Sequence, residues 1–237
     1  MPKVVVRNFA CSLDGFGAGL QQTLSEPFGK NAFQIMNWFL PTRTFRSMVG
    51  REGGSTGLDD SYAAKAFEGV GASIMGRNLF GPLRGPWADE DWKGWWGDNP
   101  PFKHPVFVLT HHPRPALEFE NGTSFHFVNG SPEQVLEQAQ AAAGGKDVKV
   151  NGGVSTIRAF WRARLLDELH LVMARRFSWG KASGSWAGWG WRRTTGWPAS
   201  RPLKRPCITG SSGSARRPCD YPRRSIDLSR PLIIFPS

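Results

Sequence analysis

The chain has 237 residues, room for one large domain or two small ones. Its net charge of +11 is not spread evenly: residues 1–174 hold 17 basic and 17 acidic side chains, and residues 175–237 hold 13 basic and 2 acidic. The basic pI therefore belongs to the last quarter and gives the body no reason to bind nucleic acid; three scattered cysteines are too few for a disulfide framework or a zinc site, and no apolar run approaches the roughly 18–20 residues of a membrane span.

In chain order, KVVVRNFAC (3–11) reads as a first strand, and SLDGFGAG (12–19) as a glycine-rich loop. NAFQIMNWFL (31–40) reads as a helix ended by Pro41. DDSYAAKAFEGVG (59–71) reads as a second helix, capped by Asp59 or Asp60 and stopped by Gly71. ASIMGR (72–77) is a buried strand running into a glycine turn, followed by a long loop over 81–104 rich in Trp, Gly and Pro. The aromatics of that loop can bury much surface, which argues for order. Strands follow at 105–113 and 123–128, then a helix over 131–145 with Ser131 as cap and Pro132 in the first turn. KDVKVNGG is a strand, VSTIRAFWRARLL (154–166) an amphipathic helix, and DELHLVMA (167–174) a last strand. Strands alternating with helices predict an α/β fold with a mostly parallel sheet, and ligands then bind beyond the carboxyl ends of the strands. Gly15, Gly76, Thr110 and Gly152–Gly153 all fall at such ends.

VNGGVSTIRAF is the sharpest local signal. Two glycines let the backbone approach a ligand closely, the free N–H groups at a helix start favour phosphate, and Ser155 and Thr156 add hydroxyls. The same run also describes a tight strand-to-helix turn, and it is not the dinucleotide fingerprint G-x-G-x-x-G. Arg77 suits a bidentate phosphate clamp or a surface ion pair. Asp14 suits a substrate-orienting or proton-delivering carboxylate, or an Asx turn. Glu168 is a second carboxylate near the sheet or a solvated side chain. Adjacent His111 and His112 point to opposite faces of an extended chain and cannot easily share one ion, so no metal is expected.

Together, SLDGFGAG, GASIMGRNLFGP, PVFVLTHHPRP and VNGGVSTIRAFWRARLLDELHLVMA give residues 3–174 a resemblance to the dihydrofolate reductase family, in the branch that includes the reductase domain of bacterial riboflavin biosynthesis. The resemblance implies a three-layer α/β/α sandwich around a twisted, mostly parallel sheet, and an oxidoreductase with NADPH bound across the strand ends. It implies Gly76 and Arg77, with Asn78 beside them, near the cofactor phosphates and Thr110 near the adenosine. Gly152, Gly153, Val154, Ser155 and Thr156 would surround the pyrophosphate, and the carboxylates of Asp14 and Glu168 would lie near the nicotinamide and substrate as the catalytic pair. The substrate implied is a small heterocycle, pterin-like or a ribosylamino-pyrimidine, in a cytoplasmic protein. Related folds dimerise, so a homodimer is an expectation with no interface assigned. A non-catalytic nucleotide-binding sensor is the alternative for the body.

Residues 175–237 depart from the resemblance. They hold five tryptophans between Trp179 and Trp197 and no glutamate. Displacing the reading by one nucleotide turns each TGG into the end of an NTG codon, and Ala174 onward becomes Ala-Pro-Val-Leu-Leu-Gly-Lys-Gly, the continuation such a domain normally has. The glycines that this displaced reading puts after positions 179 and 186 require no codon choice. The segment therefore reads as an out-of-frame translation of GC-rich DNA, irregular or disordered, in a chain whose activity is impaired. Its rival is a basic aromatic tail that binds single-stranded nucleic acid non-specifically.

Overall fold

The computed structural model describes residues 1–174 apart from positions 14, 31, 82, 83 and 90. The readings of the tail, including the frame displacement, and the role given to Asp14 lie outside the described residues. Among the described residues, seven strands form one sheet: β1 (Val4–Ser12), β2 (Val70–Gly76), β3 (Pro105–Leu109), β4 (Leu117–Glu118), β5 (Ser124–Val128), β6 (Asp147–Gly152) and β7 (Glu168–Ala174). Their order is β4-β5-β3-β2-β6-β1-β7. Every pairing is parallel except that of β4 with β5. The α/β reading with a mostly parallel sheet holds. The near-continuous apolar character of β1, β2 and β3 is what strands buried on both faces require.

The helices are α1 (Arg43–Met48), α2 (Leu58–Lys65), α3 (Arg77–Phe80), α4 (Pro132–Ala142) and α5 (Val154–Arg162). α4 is the element most legible in advance. Ser131 Oγ accepts from Gln134 N, and Gln134 Oε1 accepts from Ser131 N at 2.9 Å, a reciprocal capping box. Its Val135, Leu136 and Ala139 are buried where it packs on β2, β3 and β6. The sheet face carrying Met75, Val106, Val108, Phe125 and Phe127 is covered differently. Phe80 of α3 enters the core there, and Trp87, Trp92, Trp96 and Phe102 from the long loop pack against it. The tryptophan loop is thus a layer of the domain. Trp87 Nε1 is held by His112 O at 2.6 Å and Trp92 Nε1 by Phe80 O at 3.3 Å.

Several boundaries differ from the predicted ones, each for a tertiary reason. The helix expected over 59–71 stops near Lys65, and Val70 and Gly71 belong to β2. Gly71 is drawn against the end of α4, where a Cβ would lie 2.1 Å from Ala143 O. Asp60 does not cap α2. Its carboxylate accepts from Thr44 N and Thr44 Oγ1, both at 2.8 Å, and so satisfies the first turn of α1; the backbone bond from Thr44 holds its pKa below the usual carboxylate value. The helix expected over 31–40 is a short 3-10 segment, Phe33–Met36, continued by turns. β3 ends at Leu109 rather than 113, because Thr110 starts a turn in which its Oγ1 accepts from His112 N at 3.1 Å. The short edge strand β4 and the helix α1, capped by Thr42 through Phe45 N, have no counterpart in the sequence reading.

Candidate functional site

β6, β2 and β3 are neighbours, and parallel pairing sets their ends level. Met75 sits opposite Gly152, and Gly76 opposite Leu109, the residue before Thr110. Gly76, Thr110 and Gly152 therefore share one edge of the sheet, its carboxyl edge. The approach is close. A Cβ on Gly76 would lie 2.4 Å from Thr156 Oγ1 and 3.7 Å from Gly152 O. Gly76 is glycine because the first turn of α5 lies against it.

Gly152 is glycine for two reasons. Its φ of +127° is a conformation that L side chains avoid. A Cβ there would also meet the Phe9 ring at 2.9 Å. Phe9 reaches this point because β1 is irregular: its register on β7 shifts between Val6 and Phe9, and Asn8 takes φ +59° with its Nδ2 donating to Tyr62 O. Bulges re-aim side chains in this way. β1 is paired to β6 at Val4 and Val5 only, so the two strands part toward their carboxyl ends. The Phe9 ring occupies the parting. The loop after β1 crosses above it, since a Cβ on Gly17 would lie 2.8 Å from Phe9 Cζ and 2.9 Å from Val154 Cγ2. A crevice where neighbouring strands part at the carboxyl edge is the usual ligand position in open α/β sheets.

α5 begins on this crevice. Gly153 is its N-cap, with no side chain closing the first turn and no acidic residue in it. Helix geometry leaves the N–H groups of Val154, Ser155 and Thr156 without intrahelical partners, an arrangement that favours an anion. Ser155 is exposed, Thr156 is buried against Gly76, and Val154 is buried.

On the β2–β3 side the edge is basic. Arg77 opens α3, with Asn78 half-buried behind it. The Arg77 guanidinium lies 3.1 Å from the centroid of the Trp87 ring, and that of Arg114 lies 4.0 Å from the same ring. Arg114 also donates to Trp92 O. The Arg77 side chain makes no ion pair or hydrogen bond among the described residues, and its Nε is buried without a partner. Burial and the neighbouring Arg114 bring its pKa down to about 10, so at neutral pH the site holds two adjacent cations. A carboxylate or phosphate would relieve both the charge and the missing hydrogen bond.

Of the predicted site residues, the structure brings together Gly76, Arg77, Asn78, Thr110, Gly152, Gly153, Val154, Ser155 and Thr156. The Thr110 hydroxyl is engaged in its own turn and shapes the strand end. Glu168 is corrected. It opens β7 opposite Val5, whereas the carboxyl edge lies at Ala174 opposite Ser12, roughly 20 Å along the strand. There it pairs with Arg7 at 3.7 Å, beside the Arg7–Asp147 bridge at 2.7 Å. In a parallel sheet the first residue of a strand cannot reach a site at the strand ends. We expect Glu168→Gln to cost less than about 1 kcal/mol in a urea titration, as half-exposed pairs do, and to leave nucleotide affinity unchanged in a parallel binding titration. Sequence reasoning passed over Arg114, Trp87 and Phe9. The first had a signal, since HHPRP sets an arginine just past β3 as MGR sets one just past β2; the other two depended on strand order and a bulge.

The family described as RibD C-terminal domain matches residues 2–177. The chain belongs to the RibD C-terminal domain family. That family is one of reductases, and the match stops three residues beyond the last described strand. Among solved structures the chain is similar to a protein of Shewanella sp. PV-4 named for riboflavin biosynthesis, at 23% identity over 75% of this chain and 78% of that one, with a TM-score of 0.43. It is also similar to a pyrimidine reductase-like protein of Corynebacterium diphtheriae, at 15% identity over 78% of each chain, with a TM-score of 0.40. Curated protein sequences contain no match to it. Among the described residues no helix is long and apolar enough to cross a membrane.

Proposed function

We propose that the chain is an NADPH-dependent reductase of a pterin-like or ribosylamino-pyrimidine substrate. The observation that carries this reading is the convergence of Gly76, Gly152 and the open first turn of α5 on one crevice, with the Arg77–Trp87–Arg114 stack beside it. The residues present suit a dinucleotide phosphate ester. The uncapped first turn of α5 offers N–H groups that would hold a pyrophosphate, and the adjacent guanidiniums of Arg77 and Arg114 call for a further anion. A 2′-phosphate fits that call and favours NADPH over NADH.

When bound, the reduced nicotinamide supplies the hydride. The protein's part is to orient and to exclude water. Gly152, Val154 and the Gly17 segment close around the Phe9 ring and fix the strand ends beside which the nucleotide would lie. With Glu168 at the opposite edge, proton delivery falls to Asp14 or to a water. The test is titration of the full chain with NADPH, followed by transfer from tryptophan emission to the nucleotide, for which Trp87 is well placed. Saturable binding at one site per chain is expected, with oxidation of the bound nucleotide when an aminopyrimidine acceptor is added. No saturable binding would reject the reading.

A further inference from the structure

Two sulfur atoms meet at the carboxyl end of β1. The Cys11 thiol donates to Met173 Sδ at 3.2 Å. The contact follows from the sheet: Cys11 and Met173 are register partners in the parallel pair of β1 and β7, and such partners share a face. Their surroundings differ. β1 runs between β6 and β7, and Cys11 is 1% exposed. β7 is the outermost strand on its side among the described residues, and Met173 is 48% exposed. Of the other methionines, Met75 is buried, Met36 and Met48 are half-buried, and Met1 is the chain terminus. Met173 alone combines solvent access with a place in the sheet.

Exposure and ionisation decide which of the two sulfurs meets an oxidant. A thiol attacks peroxide as its thiolate, and burial pushes the Cys11 thiol up to about 11, so at neutral pH it stays protonated. A thioether does not ionise and needs only access. Oxidation of Cys11 would also be costly, because it would set a sulfenic or sulfinic group in the closed space between two strands. Cys11 precedes Ser12, whose N donates to Phe16 O and whose Oγ accepts from Phe16 N, both at 2.9 Å. The next residue, Gly17, lies against the Phe9 ring. Damage at Cys11 thus falls a few residues from the segment that closes on Phe9.

We propose that Met173 is a sulfoxidation site that takes up oxygen from hydroperoxides and covers Cys11 against them. A lone pair of the thioether sulfur attacks the outer oxygen of the peroxide, and the O–O bond breaks. The sulfur keeps that oxygen as S=O, and the proton it carried passes to the departing hydroxide, which leaves as water. The sulfur is oxidised by two electrons and the peroxide reduced by two. The sulfoxide oxygen is a stronger acceptor than the thioether it replaces, and the Cys11 S–H stands beside it as a donor. A thiol-dependent sulfoxide reductase returns the product to methionine. The proposal is independent of the reductase reading.

The experiment exposes the full wild-type chain to hydrogen peroxide at neutral pH and maps the added oxygen peptide by peptide. Met173 is expected to gain one oxygen at least roughly tenfold faster than Met36 and Met48, with Met75 and Cys11 unmodified over the same interval. The proposal is overturned if Cys11 is oxidised as fast as Met173, or if Met173 reacts no faster than Met36 and Met48. The covering role is read separately, by labelling Cys11 in the folded chain with iodoacetamide. Met173→Ala is expected to raise that labelling roughly tenfold, and Met173→Leu, which keeps the bulk, to leave it low. Labelling as slow in Met173→Ala as in the wild type would show that Met173 does not cover the thiol. The peroxide mapping needs neither variant, so it decides the modification site even if Met173→Ala fails to fold.

Discussion

Alanine at Gly152 is expected to cost the fold about 2–4 kcal/mol and to abolish saturable nucleotide binding. Two terms add. A non-glycine residue at φ +127° is strained wherever it sits, and the new methyl would lie 2.9 Å from Phe9 Cε2. The ring has little room to retreat, because the backbone of Gly17 lies against it closely enough that a Cβ there would be 2.8 Å from Phe9 Cζ. Urea unfolding of Gly152→Ala against the wild type measures the total. Adding Phe9→Leu separates the terms: the smaller side chain removes the contact and leaves the backbone strain, so about half the loss should return. A Gly152→Ala chain as stable as the wild type would mean that β6 does not end in this conformation, and the crevice would lose its wall.

The second large effect is expected at Arg77. Arg77→Leu should weaken NADPH binding by roughly 10- to 100-fold, the range of a charge-assisted hydrogen bond to phosphate, while NADH affinity changes by less than about threefold. Arg77→Lys should recover little, since an ammonium neither stacks flat on Trp87 nor presents two parallel donors. The free protein should not suffer. Arg77 has no anionic partner among the described residues, and Arg114 already opposes its charge, so the thermal midpoint of Arg77→Leu without nucleotide should hold or rise. Paired titrations with NADPH and NADH decide the matter. An equal loss for both nucleotides would place Arg77 on the shared pyrophosphate, and no loss for either would remove it from the site.

The candidate site was legible where its chemistry is local. A glycine pair between a strand and a helix, an arginine just past a strand end and a serine cap three residues before a glutamine are each written in contiguous residues, and each stands where those residues put it. Asp60 was misread because Asp beside a helix start is a common cap, while its real partner, Thr44, comes from another helix. Glu168 departs from its implied role for a different reason. Its place at the start of a strand is visible in the sequence, but the edge of the sheet that a strand start occupies depends on the direction of the neighbouring strands. Phe9 looked like one more apolar strand residue. Its aim depends on the positive φ of Asn8, and a bulge in the middle of a β-branched run leaves little trace in the sequence.

By itself the sequence determined the alternation of strands and helices, the glycines at the strand ends, the family, and the contrast between a neutral body and a basic last quarter. These follow from residue type and short-range spacing, which act before the chain has closed on itself. Only the tertiary structure decided that β2 lies between β3 and β6, and hence that Arg77 and Arg114 meet over one tryptophan ring. It also decided that Glu168 lies at the edge of the sheet opposite the crevice. Strand order and direction are settled by burying the whole sheet at once, a condition that no single window of the chain contains.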